Sequence, residues 1–437
     1  MRTMGYGFGA VVAMLIAGSA QAQTGGPLAS EVDAVYGAAE TLYRQLHQNP
    51  ELSRHETRTA ETMAAALRQA GFEVTTGVGG TGVVGILKNG AGPTVMLRTE
   101  LDALPVTEAT GLPFASTVRT KDDGGTEVGV MHACSHDLHM AAWVSAAKVM
   151  AGSRARWAGT LLMVAQPAEE IGAGAKAMMA DGLLTRFPRP DYALAIHDDP
   201  RLPAGVVGYH AGPILTNSDS LNVTIFGRGG HGARPETTVD PVVIAAKIII
   251  GLQTIVSREN SPFDPAVITV GSVHGGTKHN IIPDQVQLQL SVRSFTDAVR
   301  ERLLAGIARV AKAEAAAAAA PREPLVEPVA RARALVNDPK LTERIGAALS
   351  KALGPERVQD APPEMVSEDF SEWQLAGIPT LMLRIGATER AKYDAATTSG
   401  AMLPSLHSAQ FAPHLDPTLK AAISAELIAL RTLLKRD

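Results

Sequence analysis

The hydrophobic pattern of the first half of the chain alternates between two periodicities. Continuous apolar runs are typical of strands buried on both faces, and apolar residues three or four apart are typical of helices packed against them. The predicted strands are residues 82–87, 94–97, 160–166 and 192–196, and the predicted helices are residues 31–48, 56–70 and 138–150. This alternation predicts an α/β domain whose sheet is covered by helices on both faces.

The pattern changes near residue 212, where apolar and polar residues begin to alternate one by one. Such alternation is typical of a strand with one buried face. The predicted elements here are strands at residues 221–226, 266–273 and 285–294 and helices at residues 240–257 and 296–320. Together they predict a smaller unit made of one sheet and two helices.

The chain then returns to the first pattern. Residues 321–328 contain three prolines and are expected to lead out of the smaller unit. Another core strand at residues 379–385 and a final helix at residues 417–435 follow. We therefore predict a larger α/β domain, residues 23–211 and 329–437, into which residues 212–328 are inserted.

The first 22 residues fit neither pattern. Arg2 gives a positive start, residues 8–17 are apolar, and Ala20-Gln21-Ala22 has the small residues of a cleavage site. These are the parts of a secretory signal peptide, whereas a membrane anchor needs a longer apolar run. We predict cleavage near Ala22 and export of the mature protein to a bacterial periplasm.

Composition and charge exclude several classes of protein. The 437 residues are 46% hydrophobic, which is too apolar for a disordered chain. The net charge is −4 and there is no basic stripe, so nucleic acid is not an expected partner. The longest later apolar run, residues 242–252, contains Lys247 and is too short to span a membrane.

Side chains that bind metals cluster around the predicted strand ends. They are Cys134, His136 and His139, just before a predicted helix, and Glu100, Asp102, Glu169, Glu170 and His197, directly after strands. Ligand crevices of open α/β sheets lie beyond the carboxyl ends of strands, so we expect these groups to meet. The mixture of thiolate, imidazole and carboxylate suits zinc, with cobalt, manganese and nickel as alternatives. A buried structural role is the alternative for Cys134, the only cysteine.

The adjacent acids Glu169 and Glu170 suggest a division of roles. Consecutive residues leaving a strand point in different directions, so one carboxylate can bind a metal while the other stays free as a base. A free carboxylate beside a metal-bound water is a common route to hydrolysis near neutral pH. The alternative is that both acids cap the helix that follows.

Several ordered segments point to a known family. They are residues 47–52 (HQNPEL), 97–105 (LRTELDALP), 131–139 (MHACSHDLH), 167–170 (PAEE), 230–235 (GHGARP), 280–284 (NIIPD), 367–370 (SEDF) and 406–407 (LH). With these segments the chain resembles the dinuclear-metal amidohydrolases and metallopeptidases, the family of aminoacylases and carboxypeptidases. The likeness is greatest to the branch with hippurate hydrolases and auxin–amino-acid conjugate hydrolases.

The resemblance implies roles for individual residues. The implied metal ligands are Cys134, bridging both ions, His136 and His197 at one ion, and Glu170 and His407 at the other. Glu169 matches the general base. The inserted unit contributes His231 and Asn280, which hold the substrate carboxylate or the oxyanion, and Arg293, a weaker match of that kind. Residues implied to support the ligands are Glu100, Asp102, Asp137 and His139.

The resemblance also implies an architecture and a reaction. The larger domain becomes the catalytic one, and the inserted α+β unit becomes a lid or dimerisation domain of four strands and two helices in a homodimer. Two divalent ions hydrolyse an amide bond of an N-acyl amino acid, amino-acid conjugate or short peptide that also carries a carboxylate, releasing a free amino acid. The alternative is a periplasmic solute- or metal-binding protein of the same fold without catalysis.

The chain departs from the pattern of this branch at a few positions. Ser135 stands where Gly is usual, and Glu100 stands where Asp is usual. Asp198 and Asp199 follow His197 in place of an apolar or aromatic pair, and Glu236 replaces a common His. None of these changes removes an implied ligand or the base, so we expect activity, with an altered choice of substrate.

Overall fold

A computed structural model describes residues 27–436, so the predicted signal peptide, residues 1–22, lies outside the described residues. The helices are α1 (Pro27–Gln48), α2 (Thr57–Gln69), α3 (His136–Gly152), α4 (Gly174–Ala180), α5 (Leu183–Arg186), α6 (Pro241–Thr254), α7 (Asp297–Ala317), α8 (Pro339–Leu353), α9 (Ser371–Leu375), α10 (Arg390–Ser399) and α11 (Leu415–Leu433). The strands are β1 (Glu73–Val78), β2 (Gly82–Asn89), β3 (Thr94–Glu100), β4 (Arg119–Lys121), β5 (Glu127–Gly129), β6 (Gly159–Gln166), β7 (Tyr192–Pro203), β8 (Val207–Tyr209), β9 (Gly212–Pro213), β10 (Asn217–Phe226), β11 (Gly230–His231), β12 (Ala266–His274), β13 (Ile281–Ile282), β14 (Gln285–Ser294), β15 (Leu325–Ala332), β16 (Val336–Asn337), β17 (Val358–Asp360) and β18 (Thr380–Thr388).

The larger sheet has the strand order β1-β2-β6-β3-β7-β18-β8-β17. Its centre, β6, β3, β7 and β18, is parallel, and β2 and β8 pair with it in the antiparallel sense. Successive side chains of β3 enter opposite cores: Val95 and Leu97 pack with α1, α3 and α11, while Met96 packs with α4, α5 and α9. The predicted α/β class with helices on both faces is confirmed.

The inserted unit is built on a second sheet, with the order β12-β14-β10-β15, in which every pairing is antiparallel. Alternate residues of β10 (Leu221, Val223 and Ile225) are buried in a core shared with α6 and α7. One face of the sheet is therefore covered by helices, as the alternating pattern predicts.

Residues 321–328 were expected to lead out of this unit, and that expectation is wrong. They contribute instead to its fourth strand, β15, which pairs with β10 from Leu325 onwards. Pro328 lies opposite Leu221, next to an irregularity in the register. A proline has no N–H to donate, which an edge strand or a bulge tolerates. The strand continues past residue 328 to Ala332.

The helix from Pro241 to Glu259, which contains α6, is the one helix among residues 27–436 that is long and apolar enough to cross a membrane by length and composition. Its Ile244, Ile248 and Leu252 side chains pack in the core of the inserted unit. A helix in a protein core can also meet this criterion of length and composition. The packing of these three side chains is typical of such a core helix.

Candidate metal centre

Four elements bring predicted site residues to one edge of the larger sheet. β3 ends at Glu100, β6 ends shortly before Glu169, and His197 lies within β7. The fourth element is α3, which begins at His136, two residues after Cys134. Strand ends and a helix start thus converge, as the rule for open α/β sheets predicts.

All five predicted metal ligands lie together. The Sγ atom of Cys134 is 3.5 Å from Nε2 of His197 and 3.3 Å from Nε2 of His407. Nε2 of His407 is 3.4 Å from Oε2 of Glu170, and Nε2 of His136 is 3.8 Å from Oε1 of Glu170. The five residues form two sets that share Cys134, one with His136 and His197 and one with Glu170 and His407. Within each set the ligand atoms lie within 4.8 Å of one another.

Two atoms of this cluster have the character of metal ligands. Nε2 of His136 and Oε1 of Glu170 are buried and have no hydrogen-bond partner in the part of the chain that the structure describes. Buried polar atoms in proteins nearly always have a hydrogen-bond partner. Two buried atoms without a partner, next to a thiol and imidazoles, are therefore candidates for binding a metal ion. The donor set fits a borderline divalent ion such as zinc.

The electrostatics of the protein alone oppose ionisation of the ligands. Burial raises the pKa of the Cys134 thiol well above its usual range, and the neighbouring carboxylates of Glu170 and Glu169 raise it further. Burial also raises the pKa of Glu170 to about 7, although His136 opposes this. A bound divalent cation favours the ionised form of both groups, so metal affinity and deprotonation are coupled at this centre.

Hydrogen bonds fix the direction of the imidazole rings of two predicted ligands, His136 and His197. Nδ1 of His136 donates to the backbone carbonyl of Asp102 over 2.7 Å, and Nδ1 of His197 donates to the backbone carbonyl of Asp198 over 2.9 Å. The Asp102 carboxylate accepts the backbone N–H of Glu170 over 3.0 Å. Each imidazole therefore keeps Nε2 free to face the cluster.

The other predicted supporting residues lie behind the cluster. Nδ1 of His139 is 3.1 Å from the carboxylate of Glu100, and its ring centroid is 4.9 Å from that of His197. The carboxylate of Asp137 is 2.6 Å from Nδ1 of His47. Asp137 thus supports a neighbouring histidine rather than one of the five ligands.

Glu169 lies beside the cluster. Its Oε2 atom is 3.8 Å from Nε2 of His136. Burial raises the pKa of Glu169 well above its usual range, and the carboxylates of Glu368 and Glu170 add to this effect. A carboxylate with a raised pKa is the kind of group that accepts and returns a proton near neutral pH.

The family model described as Peptidase family M20/M25/M40 matches residues 96–399. The chain belongs to this family. Its relatives include thermostable carboxypeptidase 2 of Saccharolobus solfataricus, 34% identical over 398 residues, which are 89% of this chain and 94% of that protein. N-acetyl-L-cysteine deacetylase of Bacillus subtilis is 36% identical over 77% of each chain. Hippurate hydrolase of Campylobacter jejuni is 38% identical over 63% of this chain and 69% of its own.

A solved structure gives the same assignment. The YxeP protein of Bacillus subtilis, described as a dinuclear metal-binding peptidase from the M20 family, superposes with a TM-score of 0.75 and 28% identity. The alignment covers 92% of this chain and all of that one. The predicted family and its enzyme class, amide-bond hydrolases, are confirmed, and the non-catalytic alternative finds no support.

Two of the three predicted contact residues of the inserted unit of this M20 chain, His231 and Asn280, do not contact the predicted metal ligands. His231 and Asn280 are exposed neighbours, because β11 pairs with β13 and the N–H of Gly232 donates to the carbonyl of Asn280 over 2.9 Å. No hydrogen bond or ion pair among residues 27–436 joins either side chain to the five ligands. Arg293, on β14, is half-buried and donates to the hydroxyl of Ser367 over 3.3 Å.

A buried arginine beside the centre was not identified from the sequence. Arg98 donates to Gln166 over 3.0 Å, to Glu368 over 2.6 Å and to Asp369 over 3.1 Å, and it also contacts Glu100. Two of these partners lie in the SEDF segment, 270 and 271 residues away in sequence. Arg98 lies in the segment of residues 97–105, and Glu368 and Asp369 lie in residues 367–370, so both partners belong to segments that carry the family resemblance. That resemblance is the sequence signal by which Arg98 could have been identified.

The two acids after His197 have different partners. The backbone N–H of Asp198 donates to Nε2 of His139 over 3.0 Å, and its buried carboxylate lies 3.6 Å from the same atom. The carboxylate of Asp199 accepts three hydrogen bonds from Arg201, one from its backbone N–H over 2.9 Å and two from its guanidinium group over 3.0 and 2.7 Å. The Asp199 carboxylate is thus paired inside the protein, whereas both carboxylate oxygens of Asp198 are buried without a hydrogen-bond partner among residues 27–436.

Two further departures from the family pattern, Ser135 and Glu236, differ in burial. Ser135 is buried and has a φ of 61°, in the left-handed region that favours glycine, directly between two predicted ligands. Glu236 is exposed in the inserted unit.

Proposed function

We propose that this M20 chain hydrolyses an amide bond in N-acyl amino acids, amino-acid conjugates or short peptides and releases a free amino acid. The observation that carries the proposal is the single thiol, Cys134, shared by two sets of ligand atoms. One set adds His136 and His197, and the other adds Glu170 and His407. Two divalent ions, with zinc first and manganese, cobalt or nickel as alternatives, supply Lewis acidity and lower the pKa of a bound water.

In this proposal Glu169 is the general base. It takes a proton from the attacking water and returns it to the amine that leaves, which leaves the base ready for the next turnover. Its Oε2 atom, 3.8 Å from Nε2 of His136, supports a position next to the cluster. Its neighbour Glu170, with an oxygen that has no hydrogen-bond partner, is the ligand.

Arg293 is the residue best suited to bind the substrate carboxylate. It is half-buried, and no carboxylate among residues 27–436 lies within ion-pair distance of its guanidinium. A buried cation without an anionic partner costs free energy that a bound carboxylate recovers. His231 and Asn280 can contact substrate only if the inserted unit closes over the cluster or a second subunit supplies them.

A homodimer through the inserted unit is part of the proposal. Exposed apolar side chains on α6 and on the edge strand β12 support it: Val242, Val243, Ile250, Val267 and Val273 are between 38% and 69% exposed. An unpaired edge strand next to apolar side chains is a suitable surface for a second copy. We expect light scattering to give the mass of a dimer and Ile250→Glu to give a monomer.

Export to the periplasm completes the proposal, supported by the composition of residues 1–22. N-terminal sequencing of the protein from a periplasmic extract tests it, with Gln23 as the expected first residue.

Activity is tested with protein stripped by a chelator and then reloaded with each of the four metals. We expect the reloaded protein to hydrolyse members of a panel of N-acyl amino acids and dipeptides, and the stripped protein to be inactive. A reloaded protein that binds the panel without turnover would contradict the proposal.

A further inference from the structure

One short stretch of the larger unit contacts the inserted unit, the junction between the units and the proposed base. We define it as the 364–369 segment, which precedes α9. The N–H of Glu364 donates to the carbonyl of Ile214 over 2.9 Å. The N–H and hydroxyl of Thr216 both donate to the carbonyl of Val366, over 2.9 and 3.0 Å. The segment is therefore bonded to the residues through which the chain enters β10.

Ser367 is the point at which this segment contacts the inserted unit. Its hydroxyl accepts a hydrogen bond from Nη1 of Arg293 over 3.3 Å. The guanidinium group makes no ion pair with the described residues, so the Ser367 contact restricts a side chain that otherwise has several rotamers. An arginine held in one direction binds a carboxylate at a lower entropic cost.

Glu368, the next residue, faces the metal centre. Its Oε1 atom accepts hydrogen bonds from Nη2 of Arg98 over 2.6 Å and from the N–H of Phe370 over 2.9 Å, so two donors fix the position of this oxygen. Oxygens of Glu169, Glu368 and Asp369 lie within 4.8 Å of one another. Oε2 of Glu169 also lies 3.8 Å from Nε2 of His136. A fixed negative group this close favours positions of the Glu169 carboxylate that are farther from Glu368.

We propose that the 364–369 segment positions two parts of the site at once: Ser367 orients Arg293 toward the substrate carboxylate, and Glu368 orients Glu169 toward the metal centre. Both are positioning residues, because each acts through another side chain. The proposal rests on the proposed function, in which Arg293 binds the carboxylate and Glu169 is the base. Ser367 and Glu368 are adjacent, so their Cα atoms are separated by one peptide unit of about 3.8 Å. A movement of the junction between the two units therefore displaces both contacts together.

The Ser367 contact is tested with a pair of substrates, an N-acyl amino acid and its carboxamide, which lacks the carboxylate. Ser367→Ala should raise KM for the acid about tenfold, the loss of one hydrogen bond to a charged group, and leave the carboxamide unchanged. Ser367→Thr keeps the hydroxyl and should retain the wild-type preference. In an Arg293→Ala background, Ser367→Ala should have no further effect.

These outcomes separate the inference from the function on which it rests. If Arg293→Ala abolishes the preference for the acid but Ser367→Ala affects both substrates equally, the positioning role of Ser367 is wrong and the proposed function stands. If Arg293→Ala leaves the preference intact, the carboxylate contact is wrong and the role of Ser367 is wrong with it.

The Glu368 contact is tested by Glu368→Gln, which keeps the shape and the oxygen that Arg98 contacts. We expect kcat to fall on the order of 10- to 100-fold, as misplacement of a catalytic group does, with KM and metal content unchanged. Glu372→Gln, four residues further on and paired with Lys176, is the matched control and should behave as wild type. A Glu368→Gln enzyme with normal kcat, or one that loses its metals together with its activity, overturns the positioning role.

Discussion

The larger unit and the inserted unit prepare the site to different degrees. Cys134, His136 and His197 are at most 8% exposed, and His136 and His197 belong to α3 and β7, whose side chains pack in the core of the larger unit. By contrast, His231 and Asn280 are exposed, in and directly before strands of two residues. Groups fixed by burial and hydrogen bonds are preorganised for binding. Exposed groups on a pair of two-residue strands can reach the site only through a movement of the inserted unit or from a second subunit. The comparison predicts a metal centre that is preformed at Cys134, His136 and His197, whereas the His407 side chain is 54% exposed. It also predicts that the substrate contacts of His231 and Asn280 depend on such a movement or a second subunit.

The largest expected effect comes from removing the shared thiol. Cys134→Ser should lose both metals and with them all measurable turnover, because both sets of ligands include this residue. Metal content by elemental analysis and turnover are measured on the same sample, and circular dichroism verifies the fold. A variant that retains two metals and normal turnover would falsify the bridging role.

Replacing each of the adjacent acids sharpens the description of the preformed centre. Glu169→Gln should retain both metals and bind substrate but lose proton transfer, a loss on the order of 100- to 10,000-fold in kcat. Glu170→Gln should instead be poor in metal and partly rescued by excess metal. The reverse pattern would mean that the two roles are exchanged, and two active variants would mean that both acids are structural.

The variant His231→Ala tests whether His231 contacts the substrate during the reaction. We expect kcat to fall on the order of 100-fold, the usual cost of one oxyanion contact, while metal content stays at two ions. Unchanged turnover would exclude the contact.

A mixing experiment shows how His231 reaches the site. If it acts on the neighbouring subunit, mixed dimers of His231→Ala and Glu169→Gln subunits should regain activity, because one of the two sites then has both groups intact. If the inserted unit closes over its own subunit, mixing restores nothing.

The smallest expected effect concerns stability of the larger unit. Burial disfavours a charged His47, but its hydrogen bonds to Asp137 and Glu108 outweigh this and raise its pKa to about 10. A raised pKa in the folded state stabilises the protein fully below the ordinary value of 6.5, and this stability is lost as pH rises toward 10. We expect Tm to fall by roughly 5 °C between pH 6.5 and 10. His47→Gln should lower Tm at pH 6.5 and flatten this decline; an equally steep decline would rule out His47 as its cause.

Local pattern was sufficient to predict most of the fold and the ligand candidates. The apolar runs predict β3, β6 and β7, and the candidate ligands and the base follow or lie within strands or precede a helix. The pattern failed at β15, because Pro328, preceded by Pro321 and Pro324, is typical of a linker. Only pairing with β10, at an edge and beside a bulge, makes residues 325–332 a strand.

The sequence by itself determined the family, the two-unit architecture and the residue types of the metal centre, because periodicity and ordered motifs are local properties of the chain. Tertiary structure alone decided which side chains meet. Arg98 finds Glu368 across 270 residues, and Asp198 faces His139 rather than the metal ligands. It also decided that Ser367 holds Arg293 and that His231 stays away from the cluster. Such contacts depend on the packing of distant elements, since a charged side chain fits a buried position only where the fold provides its partner.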